Sequence, residues 1–344
     1  MGEFARNATV TKIRAIYGKR LNENDYKELL SKKSVAEVAE YLKHSPNYKD
    51  AFTDIDTATI RRGHLETVLR RHNFERYGKI CSFQNLDKQP FYTYLIKWSE
   101  IEELLIAILH LNANSSETYI ENLPTYLIHK SSFDLIGLAK ARNYKQLLDV
   151  IKHTPYYAIL KQIEPDKDNR IDEILCETKL RTYYLNWLLG TVNKDFHGNT
   201  RKTLAEQIQL QIDIVNIINA YRMKTYFNAS ADEIRTLLLP FKGRITDTVK
   251  EELISSQNAE DFERVLSKTN YGRQLEELDG GIEHKLTELR CRYARRGLTF
   301  SQNSASSLYS AVYLFDVELG NIIRIIEGIR YGRPVEDIEA LLVL

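Results

Sequence analysis

Apolar residues recur at helical spacing in three short segments that lie far apart in the chain, at positions 34–48, 143–157 and 258–271. In each segment these residues fall on one face of a helix, and such a face needs a partner to bury it. They are Val35, Val38 and Leu42 in the first segment, Tyr144, Leu147, Leu148 and Ile151 in the second, and Ala259, Phe262, Val265 and Leu266 in the third. The pattern predicts three short amphipathic helices.

Each segment opens with a helix-start signal. The cap residues are Ser34, Asn143 and Asn258, and the residues three positions later are Glu37, Gln146 and Asp261. A cap side chain accepts a hydrogen bond from a backbone N–H that the first turn leaves without a partner. The acid or amide three positions later is expected to reach back to the N–H of the cap residue itself.

Each segment closes with a break that is followed by a tyrosine, at positions 45–48, 154–157 and 269–271. Pro46 and Pro155 cannot continue a helix, so they end the first two. We expect Tyr48, Tyr157 and Tyr271 to occupy matching places and to pack on the helix that has just ended. These tyrosines are 109 and 114 residues apart, which is close to a third of the 344-residue chain each time.

The similarity continues downstream of each tyrosine, where a long helical pattern starts near Ile60, Ile171 and Ile282. A further long helix is predicted at positions 216–238 and again at 321–342, and positions 98–127 offer a looser counterpart. The coinciding pairs are Asn216 with Asn321, Tyr226 with Tyr331, and Ile234 with Ile338. The chain is therefore predicted to contain three copies of a helical unit, at 1–127, 128–239 and 240–344.

Composition supports an all-α fold. Hydrophobic residues make up 43% of the chain and charged residues 28%, which is typical of a soluble globular protein. The chain contains only 7 Pro and 15 Gly, and this scarcity of chain breakers favours helices. Two or three domains are expected at this length.

Net charge and cysteine content narrow the possible functions. The formal charge of +1 creates no global field that would attract nucleic acid or a membrane surface. Cys81, Cys176 and Cys291 form no metal-binding or redox motif, so we expect reduced, buried thiols. The N-terminal residues lack an apolar signal core, and no apolar stretch is long enough to span a bilayer. These features indicate a cytoplasmic protein without direct membrane insertion.

The sequence shows no recognisable catalytic, cofactor-binding or metal-binding motif. His64 and His72 lie eight residues apart without a third ligand nearby, and no acid is expected to be isolated in apolar surroundings. The best candidates for function are basic runs, above all the one that contains Arg292, Arg295 and Arg296. Helical spacing places these three side chains close together, where they could contact an acidic partner. They could equally form a solvated face.

Four stretches of the chain resemble the V-type ATPase/ATP synthase central-stalk family, whose members are called the C subunit in bacteria and archaea and the d subunit in eukaryotes. They are NATVTKIRAI at 7–16, DYKELLSKKSVAEVAEYLKHSPNY at 25–48, DIVNIINAYRMK at 213–224 and DVELGNIIRIIEGIRYGRPVEDIEALL at 316–342. The resemblance covers nearly the whole chain. It implies three similar helical bundles in a funnel-like, pseudo-threefold arrangement.

The resemblance also implies a function. A member of this family is a non-catalytic coupler between the axle, made of the D and F subunits, and the membrane proteolipid ring. It serves ATP-driven proton or sodium transport, or ATP synthesis, from the cytoplasmic side, and it reaches the membrane only through the membrane sector of the ATPase. Two other hypotheses remain open, namely a helical-repeat adaptor unrelated to rotary ATPases and an enzyme with an unrecognised site.

Overall fold

The computed structural model describes residues 3–115, 119–120 and 123–344, and these residues form helices and no strand. The α-helices are α1 (Glu3–Tyr17), α2 (Glu23–Leu30), α3 (Val35–His44), α4 (Arg62–Ser82), α5 (Tyr94–Asn112), α6 (Leu135–Lys140), α7 (Tyr144–Val150), α8 (Pro155–Leu160), α9 (Glu173–Asp195), α10 (Gly198–Phe227), α11 (Ala231–Leu237), α12 (Asp247–Ser255), α13 (Ala259–Ser267), α14 (Asn270–Leu275), α15 (Ile282–Phe300), α16 (Ser304–Arg330) and α17 (Val335–Glu339). The prediction of an all-α fold is confirmed.

The order of helix lengths recurs along the chain. Two short helices lead to a short turn, then to a long helix, and then to a second long helix. The first copy runs from α2 to α5 and uses the 3-10 turn Lys49–Phe52. The second runs from α6 to α11 and the third from α12 to α17, with α8 and α14 in the place of that turn. The boundaries 1–127, 128–239 and 240–344 remain predictions, as does the pseudo-threefold funnel.

The three predicted caps are present. Ser34 Oγ accepts from the N–H of Glu37 at 3.2 Å, and Asn143 and Asn258 make the same contact at 3.0 and 2.9 Å. The reciprocal bonds differ from the prediction, since each reaches the residue before the cap. Glu37, Gln146 and Asp261 accept from the N–H groups of Lys33, Arg142 and Gln257. The cap residue is extended in the first two copies, as N-cap residues usually are.

Residues in the left-handed conformation follow the second long helix of each copy. They are Asn114 (φ 51°), Asn228 (φ 47°) and Gly332 (φ 61°). Asn and Gly tolerate this conformation, and it ends a helix. The helix predicted at 216–238 is therefore wrong in extent, because α10 ends at Phe227 and Ser230 caps α11 in a capping box with Glu233.

The chain divides into two compact units. The first unit combines the residues up to Asp87 with Ser267–Leu344, and the second is Lys88–Leu266. In the first unit, α16 packs against α1, α4 and α15, and most of its residues are buried. Its residues Leu319, Ile322 and Ile326 join a core that also contains residues of α2, α3 and α4.

Basic side chains of α1 cap two other helices of the first unit. Arg14 donates from Nε to the carbonyl of Leu298 at 3.0 Å, and from Nη2 to those of Thr299 and Ser301 at 2.8 Å. Lys12 donates to the carbonyl of Lys79 at 3.1 Å. These carbonyls lie near the C-terminal ends of α15 and α4, where helical partners are missing and a cation is favourable.

The second unit is built around α5, α9 and α10. The α5 helix packs against α9, and α9 packs against α10. Trp98 on α5 makes an edge contact with Tyr184 on α9, with ring centroids 5.3 Å apart. Phe91 and Phe196 pack in the same manner at 5.1 Å. Aromatic packing of this kind adds to area burial and fixes how the helices meet.

Candidate functional site

A buried carboxylate lies on the second long helix of each copy. Glu100 on α5, Asp213 on α10 and Glu318 on α16 are 2%, 1% and 6% exposed. The expectation that no acid is isolated in apolar surroundings is therefore wrong. A buried carboxylate requires hydrogen-bond donors to offset its lost hydration.

Each of these carboxylates accepts a hydrogen bond from the backbone that leads into the next copy. Glu100 accepts from the N–H of Ser132, and Asp213 accepts from the N–H of Arg244 at 2.6 Å. Glu318 accepts from the N–H of Leu21 at 2.8 Å. Leu21 precedes α2, Ser132 precedes α6 and Arg244 precedes α12. The second long helix of one copy is thus hydrogen-bonded to the start of the next copy, and that of the third copy is hydrogen-bonded to the start of the first.

Tyrosines complete two of these contacts. Tyr48 donates its hydroxyl to Glu318 Oε1 at 2.6 Å, and Tyr156 donates to Glu100 Oε2 at 2.6 Å. The prediction of Tyr157 for the second copy is wrong, since Tyr156 is the fully buried side chain and Tyr157 is half-buried. Pro155 opens α8, so Tyr156 is the second residue of that helix, as Tyr271 is the second residue of α14. Tyr271 is buried, as predicted for the third copy.

The buried surroundings of Glu318 shift the pKa of Glu318 itself and that of His72. Burial raises the pKa of Glu318, while the Tyr48 hydrogen bond and the Arg76 guanidinium act in the opposite direction. Arg76 Nη1 lies 3.8 Å from Glu318 Oε1. Burial, with a smaller contribution from the charge of Arg76, lowers the pKa of His72 to about 4. His72 is therefore neutral at pH 7, and its ring contacts that of Tyr48 at 5.1 Å.

The side chains of Asn216 and Asn321 each form hydrogen bonds with the backbone that follows the next short helix. The side-chain amide of Asn216 donates to the carbonyl of Leu239 at 3.1 Å and accepts from its N–H at 2.8 Å. Asn321 makes the same pair of bonds with Val343, at 2.7 and 3.1 Å. The predicted equivalence of the two asparagines is confirmed. It extends to Ile234 and Ile338, which are both buried, and to Tyr226 and Tyr331, which are both exposed.

The predicted contact residues Arg292, Arg295 and Arg296 lie on α15. Arg292 is within 3.4 Å of Glu288 Oε1 and 3.8 Å of Glu277 Oε2, and Arg295 is 3.9 Å from Glu288. Arg296 is exposed. The α15 helix therefore brings the three side chains to one region, and two of them already contact acids of the same unit.

Other candidate chemistry is sparse in the part of the chain that the structure describes. No three His, Cys, Asp or Glu side chains there are arranged to hold a metal ion. His64 lines a surface recess with Asp50, Asp54, Asp56 and Arg71, whereas His72 lies in the core. The three cysteines are buried and take part in no disulfide, as predicted. None of the described helices combines the length and apolar character that a bilayer span requires.

Sequence reasoning missed the buried carboxylates, although the alignment of the second and third copies contained a signal. Asp213 and Glu318 each stand three residues before the paired Asn216 and Asn321. An acid at the same position of two repeats, one turn from a buried amide, lies on the same face of the helix. That placement predicts burial. The sequence of the first copy gives no such signal for Glu100, because no asparagine follows at that spacing.

These features define a class of protein, namely a helical repeat protein in which each copy is held by a buried carboxylate of the copy before it. The family model described as ATP synthase (C/AC39) subunit matches residues 9–341. The chain belongs to this family.

Curated relatives agree with the family. The C subunit of the A-type ATP synthase of Methanosarcina mazei is 25% identical over 296 residues, which cover 83% of this chain and 76% of the relative. The protein of the same description from Methanosarcina acetivorans is 26% identical over 312 residues, covering 87% of this chain and 81% of the relative.

Proposed function

We propose that the chain is a non-catalytic central-stalk subunit of a V-type rotary ATPase of the archaeal and bacterial type. In this role it joins the axle of the D and F subunits to the membrane proteolipid ring, and it transmits torque without binding nucleotide. The observation that carries the proposal is the family match over residues 9–341. Relatives that are described as the C subunit of A-type ATP synthases support it.

The internal contacts suit a mechanical part. Buried carboxylates accept hydrogen bonds where each copy meets the next, and hydrogen bonds are stronger in a buried setting of low dielectric constant than in water. A part of this kind works by keeping its shape while its partners push on it. We infer that it lies on the cytoplasmic side of the membrane and reaches it only through its partners.

The direct test is binding to the two partners. The purified chain is immobilised and offered the isolated D–F pair and the detergent-solubilised proteolipid ring, separately and together. Retention of both, at the same time, is expected. Retention of neither would overturn the proposal in favour of an unrelated helical adaptor. A nucleotide-dependent rise in the melting temperature would instead indicate an enzyme, because a ligand stabilises the state that binds it.

We also propose that Arg292, Arg295 and Arg296 contribute a contact to an acidic partner. Changing all three to Glu should weaken assembly at low salt, and the difference from the wild type should shrink when salt is raised, since screening weakens both the wild-type attraction and the repulsion in the variant. The pairs that Arg292 and Arg295 make with Glu288 cost little to lose, because surface ion pairs contribute about 0 to 1 kcal/mol.

A matched control separates a local contact from a change of net charge. Lys33, Lys49 and Arg61 are exposed residues of the same unit, and changing them to Glu alters the charge by the same amount. We expect the control variant to assemble as the wild type does, with unchanged circular dichroism in both variants. Normal assembly of the Arg292, Arg295 and Arg296 variant at low and high salt would remove this cluster from the interface.

A further inference from the structure

The contacts of Glu318 join segments from opposite ends of the chain. Its carboxylate accepts from the N–H of Leu21 at 2.8 Å, from Asn47 Nδ2 at 3.1 Å and from the hydroxyl of Tyr48 at 2.6 Å. These donors are 297, 271 and 270 residues away in sequence. With Arg76 as the neighbouring cation, four groups of the first copy surround one acid of the third copy.

Further contacts join α4 to α16 on either side of Glu318 in the sequence. Asn73 on α4 donates to the carbonyl of Phe315 at 3.0 Å, and the Arg76 guanidinium lies 3.8 Å from the centre of the Phe315 ring. One end of α4 adds a charged contact, in which Arg62 Nη2 lies 2.6 Å from Glu327 Oε1. The α4 helix is thereby held to α16 at several turns along its length.

The pair formed by the third and first copies differs from the other two neighbouring pairs in how its members are connected. The first copy continues into the second, and the second into the third, through the polypeptide itself. No such connection runs from the third copy back to the first, because they stand at opposite ends of the repeat. Only side-chain and backbone contacts join them, so any force between these copies passes through those contacts.

We propose that Leu21, Asn47, Tyr48, Arg76 and Glu318 form a clasp that keeps the third copy closed on the first while torque passes through the protein. The proposal rests on the proposed function and assigns the clasp residues a positioning role within it. Breaking the clasp would separate several donors from a buried carboxylate at once. Each group would be left without a partner until water entered, so the clasp resists opening more strongly than a surface contact does.

The first experiment measures closure in the isolated protein. The Leu21 amide reports the clasp directly, because its hydrogen-bond acceptor is Glu318. In Tyr48→Phe, which keeps the ring and removes the hydroxyl, we expect hydrogen exchange at Leu21 and in α2 and α3 to become about tenfold faster. Unchanged exchange at these amides would overturn the clasp.

Tyr156→Phe is the matched control, since it removes the same hydroxyl from Glu100 in the second unit. It should accelerate exchange in α6 to α8 and leave Leu21 as in the wild type. Acceleration at Leu21 in both variants would show a general loosening instead of a clasp. Glu318→Gln is the second test variant, in which the side-chain shape is kept while the charge that faces Arg76 is removed. It should accelerate Leu21 exchange at least as much as Tyr48→Phe.

The second experiment measures the clasp under load in a reconstituted ATPase. With Tyr48→Phe or Glu318→Gln we expect ATP hydrolysis to continue while the number of ions transported per ATP falls at least twofold against an ion gradient. Tyr156→Phe should transport close to the wild-type number, because the polypeptide connects the copies on either side of it. Equal ratios in all variants would overturn the role under load.

The two proposals fail in different ways. If the wild-type chain binds neither the D–F pair nor the ring, the proposed function is wrong, and the role under load falls with it. The exchange experiment then still decides whether the clasp closes the protein. If the wild type assembles and couples but the clasp variants match it in exchange and transport, only the clasp is wrong.

Discussion

Glu318 and Glu100 occupy the same place in two copies of the repeat, yet their surroundings differ. Glu318 is held by three hydrogen-bond donors and lies 3.8 Å from the Arg76 cation. Glu100 accepts from the N–H of Ser132, from the hydroxyl of Tyr156 and, at 3.4 Å, from Ser131 Oγ. Among the described residues no cation pairs with Glu100. The carboxylate at this repeat position therefore has a cation beside it in the first unit and only neutral donors among the described residues of the second.

The sequence separation of the partners is a second difference between the two carboxylates. The hydrogen bonds of Glu100 close loops of 31, 32 and 56 residues, whereas those of Glu318 close loops of 270 to 297 residues. Loop-closure entropy grows as 1.5 RT times the logarithm of loop length, which makes the longer closures about 1 to 2 kcal/mol more costly. Both carboxylates accept three hydrogen bonds, and the Arg76 cation is the contact that Glu318 has in addition. The junction with no chain connection thus carries an ion pair as well as its hydrogen bonds.

Removing each carboxylate tests this comparison most severely. Glu318→Ala leaves Arg76 buried without its counter-ion and should lower the free energy of unfolding of the first unit by about 3 to 5 kcal/mol. Glu100→Ala leaves only neutral donors without partners and should cost the second unit about 1 to 3 kcal/mol.

The positions of the tryptophans allow the two losses to be measured separately. Trp98 and Trp187, the two tryptophans of the chain, both lie in the second unit. Urea unfolding followed by tryptophan fluorescence therefore reports Glu100→Ala, and hydrogen exchange in α2 to α4 reports Glu318→Ala. Equal losses in both units from either variant would show that the units unfold together, and the comparison would then fail.

Acid should destabilise the first unit through His72. Its pKa is about 4 in the folded protein, against an ordinary value of 6.5 for a solvated histidine, so the unfolded chain binds the proton more tightly. Stability from this group is complete above pH 6.5 and is lost as the pH falls towards 4, by at most about 3 kcal/mol. His72→Gln should reduce the loss of stability between pH 6.5 and 4, which is measured as the shift of the urea midpoint followed by circular dichroism. His64→Gln, an exposed change on the same helix, should keep the wild-type slope.

Two glycines of the first unit should respond in opposite directions. A Cβ on Gly328 would lie 2.4 Å from side-chain carbons of Ile338, so Gly328→Ala forces α17 away from α16 and should cost about 1 to 3 kcal/mol. A Cβ on Gly78 in α4 meets nothing within 4 Å, and Gly78→Ala should stabilise the protein by up to about 1 kcal/mol. Thermal unfolding midpoints measure both. A loss in both variants would mean that α4 is as crowded as α16.

The smallest expected effect comes from the helix caps, which are alike in the two units. Ser34→Ala and Asn143→Ala should each cost about 1 kcal/mol, because each leaves one N–H of the first turn without its acceptor. Asn143→Ala should shift the tryptophan-detected midpoint and Ser34→Ala should not. Unchanged midpoints in both variants, measured by circular dichroism, would show that these bonds contribute nothing to stability.

Local features of the fold could be predicted from the sequence, and the contacts between copies largely could not. Ser34, Asn143 and Asn258 cap helices because the cap bond lies within four residues, which the sequence displays directly. Whether Glu100 is solvated or buried depends on Ser132 and Tyr156, which the fold brings to it from 32 and 56 residues away.

The prediction of Tyr157 in place of Tyr156 was wrong by one position in the chain. Rotation by about 100° per residue decides which of two adjacent tyrosines points into the core. The sequence pattern predicted Tyr157, because the break has the same length in the first two copies, at positions 45–48 and 154–157. For the predicted cluster on α15, the sequence spacing placed the arginines together and also indicates Glu288, which stands four residues before Arg292. It gave no sign of Glu277, which precedes α15.

The left-handed residues that follow the long helices have a consequence for the evolution of chain length. Asn114 stands 14 residues after Glu100, Asn228 stands 15 after Asp213, and Gly332 stands 14 after Glu318. A single-residue insertion or deletion in any of these spans would rotate the acid by about 100° relative to the stop and shift it by about 1.5 Å. Homologous genes should therefore accumulate indels mainly in the connections between helices, and keep the acid-to-stop spacing within the one residue by which these copies differ.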